Sequence, residues 1–179
     1  MGMIATSSNS FEVSGLRVNK NRRFEIDESK TVLPDKIYQY PFLQFAEGTL
    51  AVNMSGMTIH FMDLFEENIK ERKLSDHFTE DRRHSILLRN EAARHKQQGA
   101  RENFYQTLQN SWDEWDENKH FAAPALKNVS KVSRHLAATS REIVDALFPL
   151  CGLVASDPIS EVNRVWRNLH TASLHPLLH

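Results

Sequence analysis

The chain has 179 residues, a quarter of them charged, with mixed signs and a formal net charge of -1. That length allows one ordinary domain with its own core, and that charge balance excludes a general electrostatic nucleic-acid binder, which is clearly basic. The single cysteine, Cys151, excludes an intramolecular disulfide and points to a reducing, cytoplasmic setting, while no apolar run approaches the ~20 residues of a membrane span.

Residues 1–10 read as a disordered leader. Met1-Gly2-Met3-Ile4-Ala5-Thr6 fits the short myristoylation pattern. No basic cluster follows to supply a second membrane signal, so the leader reading is preferred. Residues 11–36 differ from everything after them. Phe11 and Val13, then Leu16 and Val18, are spaced as short strands broken at Gly15. Asn19-Lys20-Asn21 is turn chemistry, and Arg23-Phe24-Glu25-Ile26 is a candidate returning strand. A lone hairpin is marginal in water, so this piece must pack on something. A polar connector, 27–36, follows.

Residues 37–179 are expected to form four helices. The first runs from about Pro41 to Lys73, with Phe42, Phe45, Leu50, Met54, Met57, Phe61, Leu64, Phe65 and Ile69 making one broad apolar face. Gly48 and Gly56 inside it mark either a close backbone approach or tolerated helix glycines. The second runs from about Glu80 to Lys119. Its first half is basic (Arg82, Arg83, Arg89, Arg94, Lys96, Arg101) and its second half acidic (Asp113, Glu114, Asp116, Glu117). That order opposes the helix dipole. It signals either an antiparallel neighbour, including another copy of the same helix, or simply a solvated face. The third runs from about Ala125 to Cys151, with Gly152 placed as a C-terminal cap and Pro149 disturbing the last turn. The fourth runs from Pro158 to Leu178 with Asp157 as N-cap, and Ile159, Val162, Trp166, Leu169 and Ala172 line one side. Four amphipathic helices with short connections predict an all-α, up-down four-helix bundle with a short N-terminal β-hairpin.

Trp112, Trp115 and Trp166 read as core or interface rather than a cofactor box. Nine histidines raise a metal question. Di-metal bundle sites need paired Glu-x-x-His motifs. Only Glu117-Asn118-Lys119-His120 fits, at the end of a helix, so no metal site is expected. Glycine-rich phosphate loops and nucleophile elbows are absent. Cys151 follows apolar Leu150 and reads as a buried or interface thiol. The remaining candidate is the last helix. Arg164, Arg167 and His170, each three apart, form one polar ridge beside the apolar face, and His175 follows near the helix end. Such a ridge holds an anion or positions a proton donor, or it is a partner-facing polar edge.

Trp166-Arg167-Asn168-Leu169-His170-Thr171-Ala172-Ser173-Leu174-His175 resembles the C-terminal signature of the acyl-CoA dehydrogenase superfamily. Within it, the flavin-dependent monooxygenase-like branch carries an Arg-Asp-x-His-x-x-x-x-His pattern. Leu150-Cys151-Gly152 and the run from Pro158 to Arg164 resemble the approach to the family's last helix. Tyr40-Pro41-Phe42 resembles the entry to its bundle, and residues 11–26 are similar to the last strands of its middle β-domain. The resemblance implies an oligomeric C-terminal domain, a dimer or tetramer, that supplies one wall of an FAD or FMN site. It assigns His175 as proton donor or hydrogen-bond partner at the flavin, and Arg164, Arg167 and His170 as lining residues. Asn168 departs from the usual Asp. The family's N-terminal helical domain and most of its β-domain have no counterpart in these residues, so the resemblance implies either a truncated flavoenzyme or one acting with a second polypeptide, inactive as an isolated chain. The alternative expectation is a non-catalytic oligomeric bundle or a small-ligand-binding protein.

Overall fold

The computed structural model describes residues 2–6, 9–118 and 120–179. Four helices dominate: α1 (Phe42–Glu71), α2 (Glu80–Asn118), α3 (Ala123–Leu147) and α4 (Glu161–Ala172). The first two end within two residues of the bounds expected from apolar period. The other two are shorter than expected, for local reasons. Pro149 lacks an amide hydrogen, so α3 stops at Leu147 and tight helical turns continue over Phe148–Ser156. Gly152 sits inside those turns at φ 75°, a left-handed conformation that favours glycine, rather than capping α3. The N-cap of α4 is Ser160, whose hydroxyl oxygen accepts from the Asn163 amide at 3.3 Å. Asp157 instead closes the preceding turn, accepting from the Ile159 amide at 2.9 Å.

Hydrogen bonds fix the packing. Asn90 reaches the Met62 carbonyl, Gln97 reaches Ser55, and Tyr40 meets Ser111, so α2 runs antiparallel to α1. Gln44 bonds Ser130 and Thr58 donates to the Ser140 carbonyl, so α3 runs parallel to α1. One end of the bundle holds the larger core. Phe61 and Phe65 of α1, Val144 and Leu147 of α3, and Val162, Val165 and Leu169 of α4 are buried there, closed over by Phe78. Each large side chain so buried is worth about 1.5–3 kcal/mol. The other end holds a thinner core of Ala51, Ala100, Phe104, Val132 and Leu136.

Between the two cores lies a polar layer. The Gln97 amide donates to Ser55 Oγ and Ser140 Oγ, both at 3.0 Å, and Arg101 donates to Ser55 Oγ at 2.7 Å. Sliding one helix by a turn would strand these buried groups, so the layer fixes register. Farther along, the fully buried Glu47 carboxylate is met by Arg134 at 2.6 Å. The anti-dipole charge order of α2 has partners within the chain. Arg94 pairs with Asp63 and Glu66 of α1, and Lys96 with Glu142 of α3. Neither glycine of α1 marks a close approach of another backbone. A Cβ on Gly48 would stand 3.7 Å from the Phe104 ring, whereas one on Gly56 would meet nothing within 4 Å.

The expected β-hairpin is not found. Among the described residues there is no strand, and the 11–26 segment lies exposed, with Phe11 90% and Phe24 86% exposed. The turn chemistry does operate: Asn19 Oδ1 accepts from the Asn21 amide over a tight turn at Lys20–Arg22. Backbone pairing fails because no sheet or core lies alongside to shelter it. The expected disordered leader also needs correction for Gly2 and Met3, which dock on α4. The Gly2 amide donates to Thr171 Oγ1 at 3.0 Å and the Met3 amide to Asn168 Oδ1 at 2.6 Å. A Cβ on Gly2 would stand 2.1 Å from the Arg167 carbonyl oxygen, so the approach requires glycine. Met1, Ser7 and Ser8 lie outside the described residues. Among the described residues no helix is long and apolar enough to cross a membrane.

Candidate functional site

Helix α4 turns Val162, Val165 and Leu169 inward against α1, which leaves its charged and polar residues on the opposite and flanking faces. The predicted site residues are spread over three settings. Arg164 is exposed and doubly bonded to Glu161, one contact being Nε to Oε2 at 3.1 Å. Glu161 also accepts from His60 of α1. Arg164, then His60, holds the Glu161 carboxyl below its usual range, and Glu161 in turn raises the Arg164 guanidinium. Arg167 reaches back along the helix and donates to the Pro158 carbonyl at 2.9 Å.

His170 turns toward α3. Its Nε2 lies 2.7 Å from Asp145 Oδ1 and its Nδ1 2.8 Å from the Trp166 carbonyl. Both partners are acceptors, so the ring satisfies them together only when doubly protonated. The ring also lies 4.3 Å from the Trp166 ring, which stacks on Phe148. His175 stands beyond α4, exposed, where Nδ1 accepts from the Leu177 amide at 3.3 Å and caps the terminal turn Pro176–Leu178. The two histidines are therefore held by different elements. Arg164, Arg167 and Asn168 share the outward side of α4, where Asn168 and Thr171 receive the docked N-terminal amides.

Sequence reasoning missed Asp145 and the Gly2–Met3 docking. Asp145 carries no motif signal beyond its i,i+4 relation to Arg141, which it meets at 3.5 Å. The Asn168 departure was visible, but not its partner 165 residues away. Cys151 is buried as expected, and burial pushes its thiol up to about 12, which removes it as a nucleophile at neutral pH. Among the described residues, no group of three or more His, Cys, Asp or Glu side chains is placed to hold a metal.

A flavin needs cationic or donor groups for its phosphate and an apolar slot for its ring. Arg164 and Arg167 are the cations on this face, the first paired with Glu161 and the second donating to the Pro158 carbonyl. None of the four residues lines the clefts of ≈ 550 and ≈ 590 Å³. In a comparison with known proteins, a family described as acyl-CoA dehydrogenase, C-terminal domain, matches residues 48–179. The 11–26 segment and the first turns of α1 fall outside that span. No curated protein and no solved structure matches the chain.

Proposed function

Because the chain belongs to the acyl-CoA dehydrogenase C-terminal-domain family, we propose that it serves as the helical C-terminal part of a flavin-dependent oxidoreductase. In this reading residues 37–179 contribute self-assembly and one wall of an FAD or FMN site, and the monooxygenase-like branch is the nearer relation. The opposite wall comes from the family's N-terminal and middle domains, carried on a longer form of this chain or on a second polypeptide, and the bundle without them is inactive. The observation that carries the reading is the family match across α4, combined with a cationic outward ridge that has no cleft of its own.

When bound, the flavin would supply the redox chemistry. Arg164 and Arg167 would neutralise its phosphate from the outward side of α4. Asp145 and the Trp166 carbonyl would hold the His170 ring in one orientation at the wall's edge. His175, tied only through Nδ1, would present Nε2 as a proton donor or hydrogen-bond partner. The assembly would work in a reducing, cytoplasmic setting. One observation favours the second reading, an interaction or small-ligand bundle without redox chemistry: the apolar groove of ≈ 550 Å³ lies away from all four residues.

The test joins the chain to the N-terminal and middle domains of a family member and follows flavin oxidation and reduction. His175→Ala is expected to lower turnover about 100-fold or more, as loss of a positioned proton donor does, with folding unchanged. Unchanged turnover in both His175→Ala and Arg167→Ala removes the flavin-wall reading and leaves the bundle reading.

A further inference from the structure

Two apolar surfaces of this molecule lie bare in one and the same conformation. The first is the groove of ≈ 550 Å³ between the start of α1 and the end of α2, walled by Ile37, Phe45, Val52, Tyr105, Leu108 and Trp112. Its floor is low because Gly48 carries no side chain beneath Phe104. The second is the N-terminal arm. It repeats one pattern three times, apolar–charged–apolar: Phe11-Glu12-Val13, Leu16-Arg17-Val18 and Phe24-Glu25-Ile26. All six of these apolar side chains are more than half exposed.

We propose that the arm of one copy seats in the groove of a second copy. This rests on the self-assembly part of the function proposed above and not on its flavin part. The dimensions agree. From Phe45 to Val52 the helical wall runs about 10 Å, the length of about three extended residues. One apolar–charged–apolar triplet spans it, with both apolar side chains on one face and the charge turned to water.

The charges agree as well. Arg22 and Arg23 immediately precede the Phe24 triplet, and Asp113 and Glu114 immediately follow Trp112 at the groove's end. The triplet around Phe24 is therefore the one assigned to the groove. The occupant is another copy because the arm is held at both ends on its own chain. Gly2 and Met3 dock on α4, and Lys36 stacks 3.9 Å over the Trp112 ring. Between these anchors the arm points its apolar residues into solvent while its own groove stays open. An exchanged arm would give a two-fold interface, the same arm–groove contact used twice.

The test compares the chain with Phe24→Ser/Ile26→Ser by sedimentation across concentration, both in a Trp115→Phe/Trp166→Phe background so that tryptophan emission reports Trp112. Helicity checks folding, which exposed substitutions should spare. The expected result is a dimer of the parent chain, and dimerisation at least roughly 100-fold weaker in the variant, since each lost apolar anchor removes more than a factor of ten. A second variant, Phe45→Glu, places a charge in the groove and should weaken the dimer comparably. A dimer that survives both changes overturns the arm–groove contact and leaves self-assembly standing through another surface. A monomer whose emission changes with the arm substitutions means that the arm covers its own groove, which overturns exchange. A monomer with unchanged emission overturns both this contact and the self-assembly reading.

Discussion

Phe61 and Phe11 are the same residue in opposite circumstances. Phe61 is fully buried between α1, α3 and α4, and Phe11 is 90% exposed in the arm. Both belong to apolar patterns regular enough to predict an element. The helix around Phe61 closes its own backbone hydrogen bonds, so its apolar face needs only neighbours of the same kind. The segment around Phe11 must borrow backbone partners from another strand, and its own chain offers none. An apolar period thus fixes a helix within one chain, but fixes a strand only when the second surface is also present.

The sharpest way to break this contrast is truncation on each side. Phe61→Ala is expected to cost about 3–5 kcal/mol, read as a lower urea midpoint with an unchanged slope. Phe11→Ala should stay within about 0.5 kcal/mol in a dilute, monomeric sample. Comparable losses would mean that the arm is packed in solution and that the two regions are alike. The polar layer comes next. Gln97→Ala leaves Ser55 and Ser140 without their shared donor and should cost about 1–3 kcal/mol, with no counterpart among the arm's exposed polar residues. A smaller effect of opposite sign is expected at Gly56, which faces open space in the middle of α1. Gly56→Ala should stabilise the bundle by about 0.5–1 kcal/mol in thermal melts.

The smallest effect is electrostatic. Glu66 is held below its usual range chiefly by Lys70 and also by Arg94, and Glu142 by Lys96. A carboxylate with a depressed folded pKa adds stability above its unfolded pKa, and that share is lost as pH falls through the folded value. These groups are solvent-accessible, so the loss per group stays below about 1 kcal/mol. Urea midpoints measured downward from pH 6 should therefore decline gently below the normal glutamate range. A steep drop above it would point to a titrating group outside these pairs.

Most of the helical framework was legible because side-chain period and helix period coincide over long spans. The bounds of α1 and α2 follow from Phe42 to Ile69 and from the Glu80 start. The bounds of α3 and α4 were less legible, since the proline–glycine stretch from Pro149 to Gly152 allowed several ways of ending and restarting a helix. For the site, the sequence located the Arg164–His170 ridge but not its division. His170 turns to Asp145, 25 residues earlier, and Arg164 turns to its near neighbour Glu161. Spacing places residues on a face and says nothing of which long-range partner claims each one. The docking of Gly2 on Thr171 was hidden for the same reason: a short segment read as a leader also suits a glycine that fits against a helix backbone.

The bundle packs around its own cores, and the proposed function gives it one wall of a flavin site. The most direct test is titration of the purified chain with FMN and FAD, oxidised and reduced, followed by flavin fluorescence. The chain alone is expected to show no saturable binding at micromolar concentrations. Saturable micromolar binding, abolished by Arg167→Ala or His175→Ala, would contradict that expectation and show that the bundle encloses a flavin by itself or across its copies.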